Sequence, residues 1–250
     1  MIPNQWYVVL ESKQVKKKPV GVLRLGEKMV FWRDDQGHVV CFRDQCVHRG
    51  VELSKGQVVR GHLQCPFHGF EYDPSGRVTA IPANSRQAQV PEVFRVSGYP
   101  THEAHGFIWV WWGEDPPADL APPRFFLDLD ETFVYATIID PWNAHYSRVI
   151  ENQLDVVHVP FVHHSTIGRV SGTVVDGPGL QWVEDDLFYL YVFNRREDGT
   201  LPRKPSQVPV PPTDREFKLE FRFPNLWQNY INRNVRIVAA FVPVDENRTL

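Results

Sequence analysis

Only three cysteines occur in the 250 residues, at positions 41, 46 and 65. Three unevenly spaced cysteines do not make a disulfide framework, so the chain is expected to fold around an apolar core in a reducing, cytoplasmic setting. No apolar run approaches about 18 residues, which excludes a membrane-spanning helix. The opening MIPNQWYVVLESKQ lacks the basic stretch and apolar region of a secretory leader. Positive charge is not in excess: 27 Lys and Arg stand against 30 Asp and Glu, a formal net charge of −3. Bulk charge therefore offers no grip on a polyanion, and no nucleic acid is expected as a partner. A GxGxxG fingerprint is missing too, so the chain is not expected to bind a nicotinamide cofactor itself.

What is present is ordinary globular material. Apolar residues make up 42%, aromatics 13%, and 21 prolines with 16 glycines imply many turns. The length suggests one or two domains. Up to Gly113 the pattern is short and strand-like, with runs at Trp6–Leu10, Val20–Leu25, Met29–Trp32, His38–Arg43 and Phe107–Trp112. The last of these is apolar on both faces and is predicted to be buried. Gly113–Pro123 (GEDPPADLAPP) reads as a linker, which places one domain at 1–115 and a second at 116–250.

The second part predicts a strand at Thr132–Ile139, then a helix within Asn143–His158 with Tyr146, Ile150, Leu154 and Val157 on one stripe. Strands are predicted at Thr173–Val175, Phe188–Phe193, Phe217–Phe223 and Val235–Val242, with a proline-rich loop at Leu201–Pro212. The sequence given ends at DENRTL just after a strand, so the second domain is expected to be incomplete.

Two clusters carry chemistry. The first is Cys46-Val-His48-Arg-Gly50 and Cys65-Pro-Phe-His68-Gly69, with sixteen residues between His48 and Cys65. A thiolate and an imidazole in one tight loop can reach the same inorganic centre, and glycine lets the backbone come close to it. Structural zinc also takes Cys2His2, but its usual spacing keeps cysteines together and histidines together. One of each per loop suits a binuclear cluster, one iron on both cysteines and the other on both histidines.

The second cluster is Asp155, His158 and His163. Asp155 and His158 are spaced i, i+3, and Pro160 is expected to end the helix so that His163 can swing back. Two imidazoles beside a carboxylate suggest non-haem iron, although the same pattern alone also fits a solvated helix end. Cys41, in HVVCF, reads as a buried apolar residue. His102 and His105 read as surface histidines, Lys16–Lys18 as a solvated turn, and Trp109, Trp111 and Trp112 as core.

The run CVHRGVELSKG…CPFHGF resembles the Rieske [2Fe-2S] domain of the Rieske non-haem iron oxygenases over about Trp6–Gly113. Asn152, Asp155, His158 and His163 match the Asn-x2-Asp-x2-His-x4-His pattern of the same family. The resemblance implies an α+β protein: an all-β Rieske domain, then a helix-grip-like domain of antiparallel sheet and helices. It implies that Cys46, His48, Cys65 and His68 hold the cluster, and that His158 and His163 hold a mononuclear Fe(II). Asp155 would bridge the two centres, between subunits of a homo-trimer. Electrons would come from NAD(P)H through a separate reductase or ferredoxin, for hydroxylation or demethylation of a small organic, aromatic substrate with O2. The alternative is a Rieske-type electron-transfer protein without a working second domain. Val51, Phe67 and Phe70 stand where respiratory Rieske proteins carry extra cysteines and a serine, so the potential is expected at the low end of about −150 to +300 mV. Asp176, Asp185, Asp186 and Asp245 fail to match the family's third iron ligand. His164 is expected outside the ligand set.

Overall fold

The computed structural model describes residues 1–114, 116–130, 132–169, 172–210, 218–232 and 234–250. Asp115 of the expected linker, Pro211 and Pro212 of the expected loop, and Phe217 of an expected strand lie outside these residues. The chain forms two compact units. One takes residues 1–141 with 242–248 and Leu250, and the other takes 142–241 with Thr249.

In the first unit β1 (Gln5–Glu11), β2 (Val20–Arg24), β3 (Glu27–Arg33) and β4 (Val39–Arg43) fall where the apolar runs predicted strands. Short strands β5 (Gln57–Val59), β6 (His62–Gln64), β7 (Glu71–Tyr72), β8 (Val78–Ala80), β9 (Gly98–Tyr99) and β10 (Thr101–Ala104) precede β11 (Phe107–Trp112). They build three antiparallel sheets, ordered β1-β11-β10, β2-β3-β4-β9 and β5-β6-β7-β8. The twice-apolar β11 is the central strand of its sheet, the position that calls for apolar side chains on both faces. One core cluster joins Val30, Trp32, Phe42, Leu53, Leu63 and Tyr72 to Cys46 and Cys65, so both thiols grow out of the hydrophobic core.

Residues 116–130 and 132–141 carry no strand, and within Thr132–Ile139 Val134 is 98% exposed and Ile138 92% exposed. The predicted strand there does not form. A β-branched run becomes a strand only when another strand supplies its ladder, and the described part of 116–141 is tied down by single contacts instead. Trp6 Nε1 donates to the Ala121 carbonyl at 2.8 Å, Lys13 Nζ donates to Thr137 Oγ1 at 2.6 Å, and Phe125 stacks on His105 at 4.5 Å.

The second unit begins with α1 (Tyr146–Leu154) and α2 (Val159–Val162), followed by β12 (Val174–Glu184), β13 (Leu187–Arg195), β14 (Leu219–Arg222), β15 (Leu226–Asn232) and β16 (Val235–Ala240). The five strands form one antiparallel meander in chain order. Phe188, Leu190, Leu219, Phe221 and Trp227 of one sheet face pack with Val149, Ile150 and Leu154 of α1. The helix is shorter than Asn143–His158, and Val157 of the expected stripe lies beyond its end, exposed. Two strand outlines escaped the sequence pattern. β12 runs far past Val175 because Gly177-Pro178-Gly179 sits at a register shift, where the ladder needs no proline N–H. β15 has Gln228 and Asn229 on opposite faces, which erases the alternation. The hairpin of β17 (Pro243–Asp245) and β18 (Arg248–Thr249) follows in the chain, and its residues 243–248 belong to the first unit, where Leu25 and Gly26 donate to the carbonyls of Pro243 and Val244.

Candidate metal centres

The two Cys–His loops close in the same way. Cys46 N donates to Val51 O at 2.8 Å and Cys65 N to Phe70 O at 2.9 Å, while Gly50 N and Gly69 N turn back onto Cys46 O and Cys65 O. Gly50 and Gly69 have φ of +71° and +73°, and an added Cβ would meet Gln45 Nε2 at 3.2 Å and Pro82 Cγ at 3.1 Å. The sequence uses glycine there because the chain must reverse in left-handed backbone against a neighbour.

These turns bring Cys46, His48, Cys65 and His68 together. Both sulfurs are buried and free of disulfides. Both imidazoles reach the surface with their Nδ1 atoms 3.1 Å apart. His48 lies parallel to Phe70 at 5.0 Å, and Phe67 tilts over His68 at 4.0 Å, so aromatic rings hold the imidazoles in place. Burial pushes the Cys65 thiol up, opposed by the backbone N–H groups of Phe67 and His68 that donate to it, with Cys46 beside it.

Tyr72 completes the floor. Its hydroxyl donates to Cys46 Sγ at 3.1 Å and accepts from Val47 N at 3.1 Å. Burial, then the neighbouring sulfur, pushes its pKa well up, so it stays a proton donor. Sequence reasoning missed Tyr72 because it weighed only positions inside the loops. The signal was available as a tyrosine two residues after Phe70, in a strand leaving the second loop.

The donors therefore form a sulfur pair in the core and an imidazole pair at the surface. Among the described residues no three His, Cys, Asp or Glu side chains converge on one point. Paired donors with N–H and O–H groups aimed at the sulfurs suit a two-iron cluster better than a single tetrahedral ion.

In the second unit α1 ends at Leu154, and Asp155 is its C-cap, its N–H donating to Glu151 O at 3.0 Å. Asp155 and His158 do not share a helix face, as their spacing suggested. Asp155 Oδ1 instead accepts Val157 N at 2.7 Å in an Asx turn, and Oδ2 meets His158 Nδ1 at 3.2 Å. Pro160 does not close α1 either. It occupies the first turn of α2, where its missing N–H costs nothing, with His158 as N-cap and His163 as C-cap. The His158 and His163 rings face each other at 5.3 Å. With Nδ1 of His158 engaged by Asp155, its Nε2 is the free ligating nitrogen. Asn194 of β13 donates to the Val156 carbonyl at 3.2 Å, fixing the turn between Asp155 and His158.

No carboxylate completes a three-ligand set with His158 and His163 among the described residues. Asp176 is held by Arg195 and the N–H of Arg203, Asp186 by Arg222, and Asp245 by Arg248. His164 is exposed and bonds the Phe161 carbonyl. Cys41 is fully buried, and burial pushes its thiol well up. His105 sits in the tight turn before β11, and burial, then His102, lowers its pKa.

A small all-β unit with two Cys–His loops is followed in the chain by a unit of meander sheet and helices whose α2 is capped by a His pair, the layout of a metal-binding redox protein. The Rieske [2Fe-2S] domain model matches residues 5–97, and the vanillate O-demethylase oxygenase C-terminal domain model matches residues 142–250. The chain belongs to the Rieske non-haem iron oxygenases, to the alpha subunits of the vanillate-demethylase-like type. It is 38% identical over 168 residues to chlorophyllide a oxygenase of Chlamydomonas reinhardtii, covering 66% of this chain and 25% of that protein. It is 34% identical over 170 residues to the vanillate O-demethylase oxygenase subunit of Pseudomonas sp. HR199, covering 66% and 46%. The crystal structure of Pseudomonas putida CBB5 NdmA (QL mutant, with theobromine) shares its fold, with a TM-score of 0.75, 23% identity and coverage of 98% and 70%. The chain thus spans half or less of the length of these two curated relatives.

Proposed function

We propose that the protein is the oxygenase component of a Rieske non-haem iron system. Cys46 and Cys65 would hold one iron of the cluster, His48 and His68 the other, and His158 and His163 would hold a mononuclear iron. Bound there, the cluster would supply single electrons, and the mononuclear iron would supply O2 activation for hydroxylation or demethylation of an organic, aromatic substrate. The observation that carries this reading is the pair of Cys–His turns closed by the same backbone hydrogen bonds, with both thiols buried and both imidazoles at the surface.

The chain's own groups have separable tasks. Tyr72 and the loop amides donate to the sulfurs and so favour their anionic form. Asp155 fixes the ring of His158 and is itself 46% exposed, open to a histidine from another subunit. That exposure supports a homo-trimer in which Asp155 of one copy meets His48 or His68 of the next. Trp182, stacked on Phe223 at 6.0 Å on the face that packs α1, gives an apolar aromatic surface suited to an aromatic substrate. Electrons would arrive from NAD(P)H through a reductase or ferredoxin. No helix of the described residues is long and apolar enough to cross a membrane, and three cysteines outside any disulfide suit the cytoplasm.

A second reading, an electron carrier without a mononuclear iron, is favoured by the engagement of Asp176, Asp186 and Asp245 with arginines. Iron and acid-labile sulfide analysis separates the two. Three irons with two sulfides per chain support the oxygenase, and two irons with two sulfides support the carrier. Zinc without sulfide overturns both.

A further inference from the structure

Next to the second Cys–His loop stands a charge cluster that the reaction does not use. Gln64 and Glu71 are paired residues of β6 and β7 and flank Cys65 and Phe70, the closing pair of the loop. The Glu71 side chain is 7% exposed, yet its carboxylate binds Arg86 at 2.7 and 2.9 Å, Gln64 at 2.9 Å and Arg60 at 3.8 Å. Burial pushes this carboxyl up, but the hydrogen bonds and charge of Arg86, the hydrogen bond from Gln64 and the charge of Arg60 outweigh it and hold it below its ordinary value. One buried negative charge thus anchors two arginines whose side chains remain 70% (Arg60) and 48% (Arg86) exposed.

Arg60 is placed there by an uncommon backbone, φ +51°, in the two-residue turn between β5 and β6. Arg49 adds an exposed cation beside His48. Between Gln45 and Arg95 there are six Lys and Arg against four Asp and Glu, in a chain whose net charge is −3. The segment that carries the loops is thus net positive by two charges, and anchoring removes much of the entropy an arginine loses on docking.

We propose that Arg60 and Arg86, set in place by Glu71, form the docking surface for an acidic one-electron donor protein. This rests on the electron-accepting function proposed above and names the surface that serves it. The transfer is of one electron, with the donor oxidised and the cluster reduced, and no bond is made or broken. The imidazole edge itself stays free for Asp155 of a neighbouring copy.

The test mixes oxidised holoprotein with a reduced acidic plant-type [2Fe-2S] ferredoxin in stopped flow, from low to high ionic strength. The rate constant is expected to fall with salt, and Arg60→Glu/Arg86→Glu should lower it about tenfold or more at low salt, converging at high salt. Arg60→Lys/Arg86→Lys keeps the charge and should keep most of the rate. Dithionite should reduce all three proteins alike, which shows that the cluster is intact. A wild-type rate indifferent to salt, a charge reversal without effect, or a Lys variant as slow as the Glu variant would overturn the proposal. Protein that never shows cluster absorption overturns the proposed function instead. The surface is then judged by salt-dependent binding of the same ferredoxin in titration, and its absence overturns the docking proposal as well.

Discussion

Tyr72 offers the plainest single-atom experiment in the first unit. Its hydroxyl donates to Cys46 Sγ, and a hydrogen bond to a sulfur of the cluster stabilises the more negative reduced state. Loss of one such bond, at about 1 kcal/mol, corresponds to a fall in midpoint of roughly 40 mV for a one-electron couple. Tyr72→Phe is therefore expected to lower the potential by about that amount in a redox titration, with the fold retained. An unchanged midpoint would remove Tyr72 from the account. In the second unit Asp155→Ala is expected to leave the cluster spectrum intact and abolish product formation coupled to electron uptake, since His158 loses its orienting carboxylate. Normal coupled turnover in that variant would contradict the role given to Asp155.

At the scale of elements, α1 holds the His pair by leaning on the sheet. Val149 is 2% exposed against the Phe188–Phe221–Trp227 cluster. Val149→Ala removes two methyl-sized groups from a filled site, at a cost of about 1.5–3 kcal/mol. Thermal unfolding followed by circular dichroism should register a lower Tm, and an unchanged Tm would mean that α1 is not held by this contact. Elements also divide what was legible from what was not. β1 to β4 and β11 announced themselves because each is a local apolar run. Thr132–Ile139 looks the same locally but finds no partner strand among the described residues, whereas β15 looks like nothing locally and forms because β14 and β16 flank it. Strand formation belongs to the pair, so a single run is weak evidence in either direction.

Across the whole molecule, ionised carboxylates paired with arginines make stability depend on acidity. Arg33 holds the Glu103 carboxyl low, and in the second unit the Arg203 N–H, then Arg195, hold the Asp176 carboxyl low. Glu71 belongs to the same group, its burial outweighed by Arg86. A carboxyl depressed in the folded state adds stability that is full above its ordinary value, 4.5 for the glutamates and 3.8 for the aspartate, and is lost as pH falls below it. The Tm is thus expected to hold on the neutral side and to drop progressively below about pH 4.5. Glu103→Gln should flatten part of that slope. A Tm independent of pH between 5 and 3 would refute the linkage.

The sequence alone set out the two Cys–His loops, because each is short and its cysteine and histidine lie within three residues of one another. It also determined that His158 and His163 flank Pro160. Tertiary structure decided what depends on distant segments. It placed Tyr72 under Cys46, moved Asp155 off the helix into an Asx turn, brought Asn194 from β13 to that turn, and gathered Arg60 and Arg86 onto Glu71. The physical reason is one of range. Turn geometry is set by a few adjacent residues, whereas a hydrogen bond between segments tens of residues apart exists only once packing has brought its two groups together.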